Sequence, residues 1–249
     1  MPAHAAILLS GHVRDTCSSS SSSTWALHET LARCRAAFSP GGCDVFLHTW
    51  EHLDSSATSG TSWQCVAELV RGLTPAAVTV QRQVLGNLNM TRQWRSSRLS
   101  YEAYRLNVAG MVAAADLMVQ HSAQHRFRYD VALRLRTDVG SARILRLING
   151  TLSADAWHAI HRAAAAPPAA RELRSCGPVK RPGAAAADNC FWSAPSEPLI
   201  ATLHELRDRF DTLSRSTTPK GCLHSDHPES LLRCAARLAG VAARPLTGE

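Results

Sequence analysis

Ala5-Ala6-Ile7-Leu8-Leu9 is a continuous apolar run that ends in Ser10-Gly11. That is the pattern of a strand buried on both faces and feeding a tight loop. Thr24 suits the N-cap of a helix over about 25–38, which Pro40-Gly41-Gly42 would stop. Asp44 to Trp50 is rich in β-branched and aromatic residues and predicts a second strand. A helix over about 63–72 and a strand at Ala77 to Val80 follow, and then an irregular stretch from Leu85 to Ser97. Apolar residues at Leu106, Met111, Ala114, Leu117 and Met118 recur near a 3.6 period, predicting a long helix over about 99–125. Tyr129, Val131, Leu133 and Leu135 alternate with Asp130, Ala132, Arg134, Arg136 and Asp138, which predicts a strand over 129–139.

The first 139 residues therefore read β-α-β-α-β-α-β. Parallel returns need crossover helices, so the fold class is α/β with a mostly parallel central sheet flanked by helices. Beyond them lie Ala/Pro/Gly-rich loops at 163–170 and 182–187, a short strand at 189–192, and helices near 197–213 and 228–238. The reading is one domain over 1–249, with a β/α half at 5–139 and an elaboration at 140–249.

The net charge is +7, yet only Lys180 and Lys220 among the 27 basic residues are lysines. The arginines are scattered, with no dense block and no aromatic interleaving, so the charge argues for no nucleic-acid partner. It is compatible with an electropositive cleft for a phosphorylated ligand. No apolar run approaches the length of a membrane span. The stretch from Met1 to Gly11 has neither the basic region nor the apolar length of a signal peptide. The eight cysteines form no CxxC pair, which argues against a zinc ribbon. Their even number and the sequons at Asn89 and Asn149 fit disulfides in a secretory or Golgi lumen. Free thiols in a cytoplasmic protein are the competing reading.

Ligands in open α/β sheets bind beyond the carboxyl ends of the strands. Three polar clusters fall there. In the first, Gly11 would let backbone approach a ligand closely and Arg14 can pair with phosphate; an ordinary turn with a surface arginine is the alternative. In the second, His48 and Trp50 can supply a polar contact and a stacking ring, or be a satisfied histidine beside a core tryptophan. In the third, Arg134, Arg136 and Asp138 share one strand face. Asp138 can hold a divalent cation that neutralises a diphosphate leaving group, or the three can form internal ion pairs. Two later segments add Asp188, a carboxylate before a short strand, and His224-Ser225-Asp226-His227, from which His227 or His224 can complete a metal site with Asp138. Turn and helix-capping roles compete at both segments.

In their order and spacing over about residues 5–235, these segments resemble a group of GT-A-type nucleotide-sugar glycosyltransferases. The motifs are Ser10-Gly11-His12-Val13-Arg14, Asp44 to Trp50, Tyr129 to Asp138, Asp188 to Phe191, and Pro228-Glu229. The resemblance implies a Rossmann-like GT-A domain whose 5–139 half binds nucleotide. It implies transfer of a sugar from a nucleotide-sugar donor to a glycan, protein or lipid hydroxyl. Ser10, Gly11 and Arg14 would face the nucleotide, with His48, Trp50, Arg134 and Arg136 lining its site. Asp138 would stand as the last Asp of a DxD metal motif, with Mn2+ or Mg2+ as cofactor. For such a transfer Asp188 is the candidate catalytic base towards the acceptor hydroxyl, with a sugar-hydroxyl ligand as its other role. Arg136 occupies the place of the first Asp of that motif, so an arginine contact to the diphosphate competes with metal. The same resemblance covers a non-catalytic nucleotide- or carbohydrate-binding protein on this scaffold.

Overall fold

The computed structural model describes residues 2–11, 22–51, 63–82, 101–137, 152–165, 171–175, 190–214 and 228–244. Strands are β1 (Ala5–Ser10), β2 (Cys43–Trp50), β3 (Ala77–Gln81), β4 (Val131–Arg136), β5 (Glu172–Ser175), β6 (Cys190–Ser193) and β7 (Ala242–Arg244). Helices are α1 (Ser22–Ala37), α2 (Trp63–Leu73), α3 (Tyr101–His125), α4 (Ala154–Ala165), α5 (Glu197–Asp208), α6 (Phe210–Ser214) and α7 (Pro228–Leu238).

The strands form one seven-stranded sheet in the order β3-β2-β1-β4-β6-β5-β7. Strands β3, β2, β1 and β4 run parallel, as their crossover helices require. Only β6 reverses, pairing antiparallel with both β4 and β5. All six residues of β1 are buried, the signature of a central parallel strand covered on both faces. On one face, Ala6, Leu8, Phe46 and Ala132 pack with α3, α5 and α7 through Met111, Leu203 and Leu232, among others. On the other, Ile7, Leu9, Leu47 and Leu133 pack with α1, α2 and α4 through Leu31, Leu69 and Trp157. A mostly parallel mixed sheet between two helical layers results, and no described helix is long and apolar enough to cross a membrane.

Several expectations are corrected. Helix α1 begins at Ser22, so Thr24 lies inside it and is not its cap; a run of serines offers many equivalent cap positions, so residue type selects none of them. The strand expected over 129–139 is shorter, and Tyr129 and Asp130 precede it. The helix expected over 197–213 breaks at Arg209, where φ is −107° and ψ is 12°. The loop expected from residue 163 is helical through Ala165, because α4 carries Trp157 and Ile160 into the core and alanine extends it cheaply. Strands β5 and β7 had no counterpart in the sequence pattern. The cysteine alternatives separate too: Cys34 bonds Cys43, and Cys190 and Cys234 are also disulfide-bonded.

Candidate functional site

The chain places β2 on one side of β1 and later places β4 on the other, so strand order reverses between β1 and β4. A crevice outside the carboxyl ends of those strands is the general ligand site of such sheets. Ser10 is in register with His48 on one side and with Arg136 on the other. The two-residue period puts all three on the face covered by α3. Helix α3 runs antiparallel to the strands, so its amino end opens towards this end of the sheet.

At Gly11 the backbone turns with φ at +134°, a conformation that favours glycine. A Cβ there would lie 2.9 Å from Thr137 Oγ1. The Thr137 amide donates to the Ser10 carbonyl at 3.3 Å, which closes β1 against the end of β4. The close approach that the glycine permits is therefore first an approach to Thr137.

Arg134 is fully buried. Its Nη2 donates to Ser10 Oγ at 3.4 Å and to Asn107 Oδ1 at 3.2 Å, and its guanidinium lies 5.8 Å from the Phe191 ring centroid. Phe191 is its cross-strand neighbour on β6. Arg134 thereby ties β1, α3 and β6 together near the carboxyl end of β4, while Arg136, one pleat further on, is half-buried at the strand end.

His48 is also fully buried. Its Nε2 pairs with Gln81 Oε1 at 3.0 Å, and the Trp50 ring meets its imidazole edge-on at 4.7 Å. With the amide oxygen as acceptor, Nε2 carries the proton and the ring is neutral. Burial holds its pKa below the ordinary histidine value, against the opposing Gln81 bond. The ring fits under α3 because residue 110 is glycine: a Cβ there would lie 3.0 Å from Nδ1. Trp50 is nearly buried as well. Both side chains are packed into the sheet at the carboxyl end of β2 and offer no open ring face to a ligand.

The structure thus brings together Ser10, Gly11, His48, Trp50, Arg134 and Arg136. Arg14, Asp138, Asp188 and His227 lie outside the described residues. Among the described residues, no group of three or more His, Cys, Asp or Glu side chains could hold a metal ion. Gln81, Asn107, Gly110 and Thr137 were missed from the sequence. One signal was available: Asn107 and Gly110 interrupt the buried stripe of α3 between Tyr104 and Met111 at helical spacing. The leading motif residues Asp44, Tyr129 and Asp130 are not at this site. They sit at the opposite end of the strands, where Tyr129 donates to Asp44 Oδ2 at 2.7 Å and Asp130 Oδ2 accepts from the His4 amide at 2.8 Å. No protein-family model, no curated protein and no solved structure matches the chain.

Proposed function

We propose that the chain is a glycosyltransferase of GT-A type, moving a sugar from a nucleotide-sugar donor to a hydroxyl of a glycan, protein or lipid. The observation that carries this reading is the row of Ser10, His48 and Arg136 in register across the strand-order reversal, with Gly11 closing the turn beside it. Arg136 at the end of β4 would meet the diphosphate. A guanidinium there stabilises the leaving group as the bond from the anomeric carbon to its oxygen breaks. The amino end of α3 faces the same region and adds partial positive charge. Arg134 and His48 would act one layer below, fixing Ser10 and the mouth of the crevice. The mostly parallel mixed sheet is compatible with a Rossmann-like GT-A domain.

Arg14 would add charge at the nucleotide, and Asp188 would take the acceptor proton as the new bond to the anomeric carbon forms. A Mn2+ or Mg2+ ion held by Asp138 and His227 would supply further positive charge. The disulfides agree with a secretory or Golgi lumen as the compartment.

A second reading, a nucleotide- or carbohydrate-binding protein without turnover, is favoured by Arg136 in the place of a metal-binding aspartate. Measuring donor binding beside donor hydrolysis and transfer separates the two. Turnover that is lost in Asp188→Ala while donor binding persists supports the transferase. Donor binding with no hydrolysis or transfer, across acceptors and with or without Mn2+, establishes the second reading instead.

A further inference from the structure

The far end of the sheet carries residues that the donor site does not use. Tyr129 is buried and its single phenol proton goes to Asp44 Oδ2 at 2.7 Å. Burial first, then the Asp44 carboxylate, pushes the phenol well above its ordinary range, so it stays protonated. The same oxygen lies 3.1 Å from His121 Nδ1. With its proton committed to a carboxylate, the phenol accepts from His121, which fixes the imidazole as the Nδ1–H tautomer. The lone pair then sits on Nε2. His125, one turn later and exposed, has its ring centroid 4.2 Å from that of His121.

The last turn of α3 is held in place. Arg126 has φ of 58° and the Phe127 amide donates to the Ser122 carbonyl at 3.2 Å, which is a Schellman closure with arginine at the left-handed position. Phe127 packs its ring against both histidines. The carboxyl end of a helix also carries partial negative charge, which favours a cation.

We propose that His121 and His125 form a binding site for a borderline divalent transition ion of the zinc class, through their Nε2 atoms with water in the remaining positions. Two histidines four apart on one helix face can present their nitrogens to one ion, and ring centroids 4.2 Å apart place these two imidazoles side by side. Imidazole selects zinc, copper and nickel over magnesium and manganese. The Asp44–Tyr129–His121 chain is the outer support that such ligands need to hold tautomer and orientation. The site is separate from the donor crevice, and its fate does not depend on the proposed transferase activity.

The test is Zn2+ titration against a chromophoric competitor, with folding checked by circular dichroism. It uses a His224→Ala/His227→Ala background, so that the other histidine cluster does not contribute. One ion should bind, and His125→Ala, an exposed substitution, should weaken it at least tenfold. Tyr129→Phe keeps both imidazoles and should still weaken binding about tenfold through the lost outer support. Equal affinity in the background protein and in His125→Ala would overturn the site. Equal affinity in Tyr129→Phe would overturn the role of the phenol.

Discussion

Tyr129 donates a hydrogen bond from its phenol to Asp44 across 85 positions of sequence, joining the leading residues of the two longest motifs at the end of the sheet opposite the carboxyl ends of β1 and β4. The pair fixes β2 relative to the segment entering β4. Tyr129→Phe removes a charge-assisted hydrogen bond from a buried position and should cost about 1.5–3 kcal/mol. Urea denaturation at neutral pH measures it. The folded pKa of the phenol is raised, so its contribution is complete below about pH 10 and is lost as pH rises further. The gap between wild type and Tyr129→Phe should therefore narrow above that pH.

His48 titrates in the opposite sense. Its folded pKa is lowered by burial, so the unfolded chain binds the proton more readily. The stability that depends on neutral His48 is complete above about pH 6.5 and falls as pH drops below it, by up to about 1.4 kcal/mol per pH unit. His48→Leu should show a shallower acid limb than wild type between about pH 6.5 and 5. Parallel limbs would show that His48 protonates without resistance.

Gly110→Ala should destabilise the fold although alanine is the better helix former. The added Cβ would stand 3.0 Å from Nδ1 and 3.3 Å from Cε1 of His48. That ring is pinned by Gln81 and Trp50 and has little room to give. Overpacking of about 1–3 kcal/mol outweighs a helix-propensity gain of about 0.5–1 kcal/mol. Thermal unfolding of the variant reads the net sign.

Reduction should weaken the protein measurably. The bond between Cys34 and Cys43 spans a sequence separation of 9 and closes α1 onto the start of β2. Chain entropy assigns such a loop about 2.7 kcal/mol. Cys34→Ala/Cys43→Ala should lower the denaturant midpoint by the corresponding amount.

The strands of the first half were legible because Ala5 to Leu9 is an apolar run ending in Ser-Gly and because Val131, Leu133 and Leu135 keep a period of two. The long helix was legible because Met111, Ala114 and Met118 keep helical spacing. Strands β5 and β7, with Glu-Leu-Arg-Ser and Ala-Ala-Arg, are too short and too polar to show a period. They exist through pairing with each other and with β6, which no local pattern records. The same limit applies at the site. Alternation placed Arg134, Arg136 and Asp138 on one face. It did not show that α3 and Phe191 would cover Arg134, or that Gln81 would cross from β3 to His48. Tyr129 and Asp44 each looked like part of a strand, and their partnership depends on the sheet being assembled.

The most direct test of the donor site is a thermal-shift panel of UDP, GDP, CMP and their sugar conjugates, each with and without Mn2+, on wild type and Arg136→Ala. A ligand at about 100 times its Kd adds about 2.7 kcal/mol to the stability of the protein it binds. A shift is expected with one nucleotide class, lost in Arg136→Ala while the variant stays folded. No shift with any of them, or a shift that Arg136→Ala leaves intact, would contradict it.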